Sequence, residues 1–321
     1  MGLPPLTTPN PGHSPFTIFN PHLPMSSATS ATTRAPQPSA ISLPLRSKDS
    51  EPSHGEKNKM GGGGDGHEHD GDASKDHFPL PKLRLEVRDL NHRGATAFLD
   101  AVSAGTSLEG AVTSVLRLLY TSPRDPFTHA PPTRSVTLVL RAMPGVAYTT
   151  GSDLDSDHKE IHFSLNYIAG IPKDRRTDEI TGVLTHEMVH CYQWNAHGSC
   201  PGGLIEGIAD WVRLGCGLSP PHWKREASGK WDAGYQHTAY FLEYLEGRFG
   251  EGTVRRINEK LRLHKYEEKP FWTELLGRPV EQLWGDYVEK LKDDEAVLVS
   301  KDDISDEDVR RAGETASEPK A

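Results

Sequence analysis

An α+β fold, with a small mixed sheet and helices first and a mostly helical half after it, is what the sequence predicts. Three observations carry this. Apolar and polar residues alternate around 83–87 and again around 159–168, the period of half-buried strands. From Ile180 onward the apolar spacing is helical almost without interruption. Residues 1–76, crowded with Pro, Ser, Thr and Gly, and the acidic residues 293–321 show neither period.

The elements follow in order. Leu83, Leu85 and Val87 alternate with Arg84, Glu86 and Arg88, a strand with one face buried. Phe98, Leu99 and Val102, then Val112, Val115, Leu116, Leu118 and Leu119, predict two helices within 95–120, broken near Gly105. Residues 135–143 read as a strand closed by a Pro144-Gly145 turn. Ile161, Phe163 and Leu165 against His162, Ser164 and Asn166 predict a strand over 159–168. Ile180, Val183, Leu184 and Met188 then mark an amphipathic helix, with Thr177 or Asp178 as its cap and Gly198 with Pro201-Gly202-Gly203 ending it. Ile205, Ile208, Ala209 and Val212 place a second helix at 204–214. Further helices are predicted at 233–249, stopped by Gly250, at 253–263, at 271–276, and at 279–291 with Pro279 in its first turn. All six tryptophans lie between Trp194 and Trp284, as core of this helical half. No internal repeat is visible.

A hydrophobic content of 35% and a mean hydropathy of −0.59 are low for a compact enzyme of 321 residues, so part of the chain is expected to be unfolded. We expect a disordered tail over 1–76, one folded domain over 77–292 and a disordered acidic tail over 293–321. The last segment holds ten acidic and four basic side chains, and its net −6 is most of the chain's −9. The folded part is therefore nearly neutral. It has no basic stripe to neutralise phosphates, which argues against a nucleic-acid partner. His54, His67, His69 and His77 stand in a Gly-rich stretch that reads as a solvated linker rather than a metal site.

No apolar run reaches the eighteen residues of a membrane span, and the N-terminus lacks the charged start and apolar core of a signal peptide. Residues 1–48 contain no acidic residue but ten prolines, which would spoil an amphipathic targeting helix. An intracellular location is expected, with organelle targeting and non-classical secretion left open. The odd count of Cys191, Cys200 and Cys216 points to free thiols, although Cys200 and Cys216 are a candidate pair in an oxidising compartment.

The chemistry is concentrated in His186-Glu187-Met188-Val189-His190. On a helix, positions i and i+4 share a face, so His186 and His190 can turn both imidazoles to one metal ion. Glu187 can reach a water on that metal. Chance would supply the bare motif in about one shuffled chain of this composition in twenty, so context has to decide. Catalytic zinc needs a third protein ligand, and Glu206 on the next helix supplies it. Asp210, one turn beyond, is placed to accept a hydrogen bond from a ligand histidine and fix its tautomer. His197 is the competing third ligand, but it stands seven residues after His190. The metzincin pattern requires six and a glycine turn, and this chain has Ala196 and Gln193 at those positions. Zinc with these ligands would activate water, with Glu187 as general base, to hydrolyse a peptide bond.

Thr185-His-Glu-Met-Val-His190, Gln193-Trp194 and the run from Pro201-Gly-Gly-Leu-Ile-Glu-Gly-Ile-Ala-Asp-Trp-Val to Arg213 resemble the plant basic secretory protein family. These are gluzincin-type metallopeptidases of plants, fungi and bacteria, and the resemblance extends from about residue 77 to 292. It implies a zincin-like fold, with His186, His190 and Glu206 as zinc ligands and Glu187 as general base. It also implies a tyrosine at the start of a helix after the ligand glutamate to stabilise the oxyanion. Tyr235 fits that place, and His237 is the alternative. By the same likeness, 161–167 is the candidate strand that aligns an extended peptide substrate by pairing with it. The chain departs from the family in being neither basic nor equipped with a visible secretory signal. A reading of another class remains beside the peptidase: a zincin-fold binding or defence protein with vestigial or no activity. Substrate preference and the choice between endopeptidase and exopeptidase are not legible.

Overall fold

The structure is a computed structural model, and it describes residues 77–296. Expectations for the N-terminal tail through residue 76, including His54, His67 and His69, and for 297–321 lie outside the described residues.

The sheet has four strands in the order β1 (Lys82–Val87), β2 (Ser135–Arg141), β4 (His158–Ser164) and β3 (Ala147–Gly151). β1, β2 and β4 are parallel, and β3 is antiparallel to β4. Gly145 sits at φ 76°, a conformation that glycine adopts without a Cβ clash, and it turns the chain from β2 into β3. The chain then returns as β4 and fills the slot between them. This corrects the expected substrate strand: β4 is flanked on both sides, and the edges are β1 and β3. The strand is also shorter than predicted. Ser164 accepts a hydrogen bond from Tyr167 N and donates one to Met143 O at 2.7 Å, which caps α3 (Leu165–Gly170) where alternation suggested more strand.

Between β1 and β2 run α1 (Arg93–Ala101) and α2 (Ala104–Leu119), separated at Val102-Ser103, close to the expected break. Val136, Leu138 and Leu140 of β2 and Ile161 and Phe163 of β4 belong to the same buried core as Val183, Leu184 and Met188 of α4 (Arg176–Tyr192). α5 (Gly202–Gly215) packs on α4 and, more extensively, on α6 (Tyr235–Phe249). α7 (Thr253–Leu263), α8 (Glu268–Leu276) and a last helix, α9, over 280–296 complete the chain. α9 begins just after Pro279 and runs four residues past the expected start of the acidic tail, with Lys290 paired to Asp294 one turn on.

α4 is buried on all sides from Gly182 to Tyr192, so its polar residues lie inside the protein. Its ends differ from the prediction. Neither Thr177 nor Asp178 caps it: Thr177 Oγ1 donates to Ala101 O, Asp178 pairs with Arg175, and Arg175 precedes the helix. The helix stops at Tyr192, well before Gly198. There Tyr192 O accepts the Tyr120 hydroxyl and Trp194 N donates to Asn258 Oδ1 at 3.0 Å, which takes backbone groups that another turn would need.

A part-buried ion pair joins α4 to α5. Arg213, fully buried, donates to Glu179 Oε2 at 3.0 Å and to Leu218 O at 2.9 Å, while Tyr167 donates to the other oxygen of Glu179. Gly182 is required there, because a Cβ would stand 2.6 Å from Arg213 Nε. Four tryptophans are buried and Trp194 and Trp284 are packed against the core, as expected. All three cysteines are free thiols, so Cys200 and Cys216 are not paired. No helix of the described residues is long and apolar enough to cross a membrane.

Candidate metal centre

Helical spacing on α4 sets the first contacts. His186 and His190, one turn apart, bring their Nε2 atoms within 3.2 Å, with the rings edge to face. α5 crosses beside them and presents Glu206 and Asp210, also one turn apart. Glu206 Oε2 is 3.2 Å from His186 Nε2 and 3.8 Å from His190 Nε2. Asp210 Oδ1 is 2.7 Å from His186 Nδ1. All of these residues are buried, as is Glu187. Among the described residues, His186, His190 and Glu206 form the group able to hold a metal.

The donor set suits one dication. Two imidazole nitrogens and a carboxylate oxygen buried around one point are costly without a shared positive charge. A tetrahedral ion with bonds near 2.1 Å separates its ligand atoms by about 3.4 Å, and the three measured separations bracket that value. With Nδ1–H given to Asp210, a neutral His186 would turn its Nε2 lone pair toward Glu206 and His190.

The cluster's own charged groups shift one another strongly. Burial works against a charge on His186, but Asp210 and then Glu206 outweigh it and raise its pKa to about 10. His190 is pushed down to about 4, mainly by burial, with His186 adding repulsion against the pull of Glu206. Glu206 is held below the usual carboxylate range because both histidines outweigh its burial. Glu187 is raised to about 7 by burial, opposed by His186 and by a hydrogen bond from Thr149.

The loop before α6 carries Tyr235 to the same place. Thr238 Oγ1 donates to Trp231 O at 2.8 Å and accepts from Gly234 N at 3.0 Å, closing residues 231–234 into a tight turn. That turn lies on the first turn of α5, so closely that a Cβ on Gly203 would stand 1.8 Å from Asp232 O. Tyr235 itself adopts φ 49°, the left-handed region, where a bulky residue is strained. Its ring lies 6.4 Å from that of His186 and nearly parallel to it. Burial first, then Glu206, Asp210 and Glu187, raise the Tyr235 pKa, so the phenol stays protonated at neutral pH.

The other predicted residues lie elsewhere. His197 is exposed in a tight turn (Ala196–Gly198), outside the cluster. His237 has its Nδ1 3.5 Å from Glu226 O, and none of its described contacts reaches the cluster. Sequence reasoning missed β3 and Thr149. The hydroxyl of Thr149 is 2.7 Å from Glu187 Oε2 and 3.0 Å from Glu187 O. The run Val146-Ala-Tyr-Thr-Thr150, rich in strand formers and placed after a Pro-Gly turn, was the available signal for the strand.

Two crossing helices that close two histidines and a glutamate around one buried point, next to a small sheet with an antiparallel edge, define an α+β protein with a candidate metal centre. A family described as peptidase of plants and bacteria (BSP) matches residues 80–287, about two thirds of the chain and the whole of this site. The chain belongs to that family. Comparison with curated proteins and with solved structures yields no match.

Proposed function

We propose that the protein is a zinc-dependent peptidase of the gluzincin type on a zincin-like fold, with His186, His190 and Glu206 as ligands. The observation that carries this is the convergence of their three donor atoms within 3.2 to 3.8 Å, with the carboxylate of Glu187 on the same helix. Zinc, when bound, lowers the pKa of a water toward neutrality and polarises the substrate carbonyl.

The chain's own residues do the rest. Glu187 takes the proton as water attacks the carbonyl carbon and passes it to the leaving amine nitrogen as the C–N bond breaks. A pKa raised to about 7 suits a group that must both accept and release a proton near neutrality. Asp210 keeps His186 in the tautomer that leaves Nε2 available. Tyr235, protonated and beside His186, donates to the developing oxyanion. β1 and β3 each leave one edge without a strand among the described residues, and β3 is the one that packs on α4, so it is the place for an extended peptide to add as a strand.

The test joins metal analysis to cleavage of a proteome-derived peptide library by the zinc-loaded protein, with Glu187→Gln as the blank. Wild type should retain about one zinc and cleave, and Glu187→Gln should retain zinc and lose cleavage. Full activity in the variant would sink the general-base role. Zinc retention without cleavage in wild type would favour a binding or defence protein.

A further inference from the structure

Thr149 reaches the proposed base from β3, an element that carries none of the proposed metal ligands. It is 2% exposed, and antiparallel pairing with Ile161 of β4 fixes its place in β3. Both of its hydrogen-bonding contacts go to one residue: the side-chain oxygen Oε2 and the main-chain oxygen of Glu187. A β-branched side chain has few rotamers, and a hydroxyl that donates to a carboxylate makes a short, strong bond. Threonine in this strand is therefore a stiff arm ending on one carboxylate oxygen.

We infer that Thr149 is the positioning residue for Glu187. It holds Oε2 and leaves Oε1 to take the proton of the attacking water. The inference rests on the peptidase reading above and adds an assignment within it. As the water's oxygen bonds to carbon, its proton moves to Oε1, then to the amine nitrogen as the C–N bond breaks and the amine leaves, and the Thr149 proton stays on Oγ1 throughout. The main-chain oxygen of Glu187 offers that hydroxyl a second acceptor while the carboxyl is neutral. Because β3 is also the edge proposed to receive the peptide, substrate pairing and base orientation meet in one strand.

The experiment compares zinc-loaded wild type, Thr149→Val and Thr149→Ser. It reads zinc content, kcat and KM on a cleaved peptide, and the affinity of acetohydroxamate, whose hydroxyl must give its proton to the base. Thr149→Val keeps the shape and removes the hydroxyl. We expect full zinc content, KM within about twofold, and a fall of about 10- to 100-fold in kcat, the usual cost of losing a group that orients a site residue. Hydroxamate binding should weaken about tenfold, and Thr149→Ser should restore both within about threefold. Unchanged kcat and hydroxamate affinity in Thr149→Val would overturn the inference, as would a loss that serine does not restore, since packing would then be the cause. If the protein holds zinc but cleaves nothing, the hydroxamate arm decides alone. A wild-type protein that retains no zinc would overturn the metal reading, and the role of Thr149 with it.

Discussion

On the α5 side of the site Glu206 and Asp210 enter as buried carboxylates, whereas on the β3 side Thr149 enters as a single neutral hydroxyl. The α5 side is held on several counts: the Arg213–Glu179 pair joins α4 to α5, Gly182 makes room for that guanidinium, and Gly203 and Gly207 admit no side chain against the loop before α6 and Thr238. The β3 side depends on the pairing of one short edge strand. The difference follows from charge. Two carboxylates out of water must meet positive partners within a few tenths of an ångström, so the helix crossing that delivers them is over-determined. A hydroxyl can miss its partner at the cost of one hydrogen bond. On the function proposed above, the helical side would decide whether a metal stays, and the sheet side how the base points.

Breaking the helical side should give the largest effect. Glu206→Ala should abolish zinc retention in dialysed protein while His197→Ala keeps a full complement; the reverse pattern would move the third ligand to His197. Next comes the link that sets the crossing. Arg213→Met leaves the part-buried Glu179 with only the Tyr167 hydroxyl, and should lower stability by about 2–3 kcal/mol in urea denaturation, less than for a fully buried pair. A loss under about 1 kcal/mol would show that the crossing does not depend on this pair.

Smaller changes sharpen the comparison. Asp210→Asn keeps an acceptor for His186 Nδ1 but removes its charge, and should weaken zinc binding about 10- to 100-fold in a competition titration with a chelator. An unchanged affinity would reduce Asp210 to a packing residue. The pH dependence is the mildest test. His186, raised to about 10, holds a proton that a metal must displace, so zinc affinity should rise about tenfold per pH unit between about pH 7 and 9, with about one proton released. In the metal-free protein the sign is opposite. The raised pKa adds stability that is complete below the unfolded value of 6.5 and is lost as the pH climbs through about 10. A flat affinity profile would mean that no proton leaves His186.

Most helices were legible because their signal is local. Thr253–Leu263 begins and ends where its periodicity and flanking residues place it, and α6 stops at Gly250, which adopts φ 92°. The end of α4 was misread because Gly198 is a good local stop, but the helix is closed earlier by Tyr120 and Asn258, distant residues with no mark in the local pattern. The strand over 159–168 was overextended because alternation continues through Leu165, while Ser164 turns the backbone into a helix by its own hydrogen bonds.

By itself the sequence determined that His186 with His190, and Glu206 with Asp210, share helix faces, because a period of 3.6 residues makes i and i+4 neighbours wherever the helix lies. It also indicated that these two helices serve one site, since a metal-binding pair of histidines calls for a third ligand nearby. Only the tertiary structure decided that β4 is internal and β3 an edge, that Tyr235 takes a left-handed backbone beside His186, and that Thr149 hydrogen-bonds Glu187 from 38 residues away. Strand order and such contacts are set by which surfaces bury each other across long loops, and the local period of a chain carries no record of that choice.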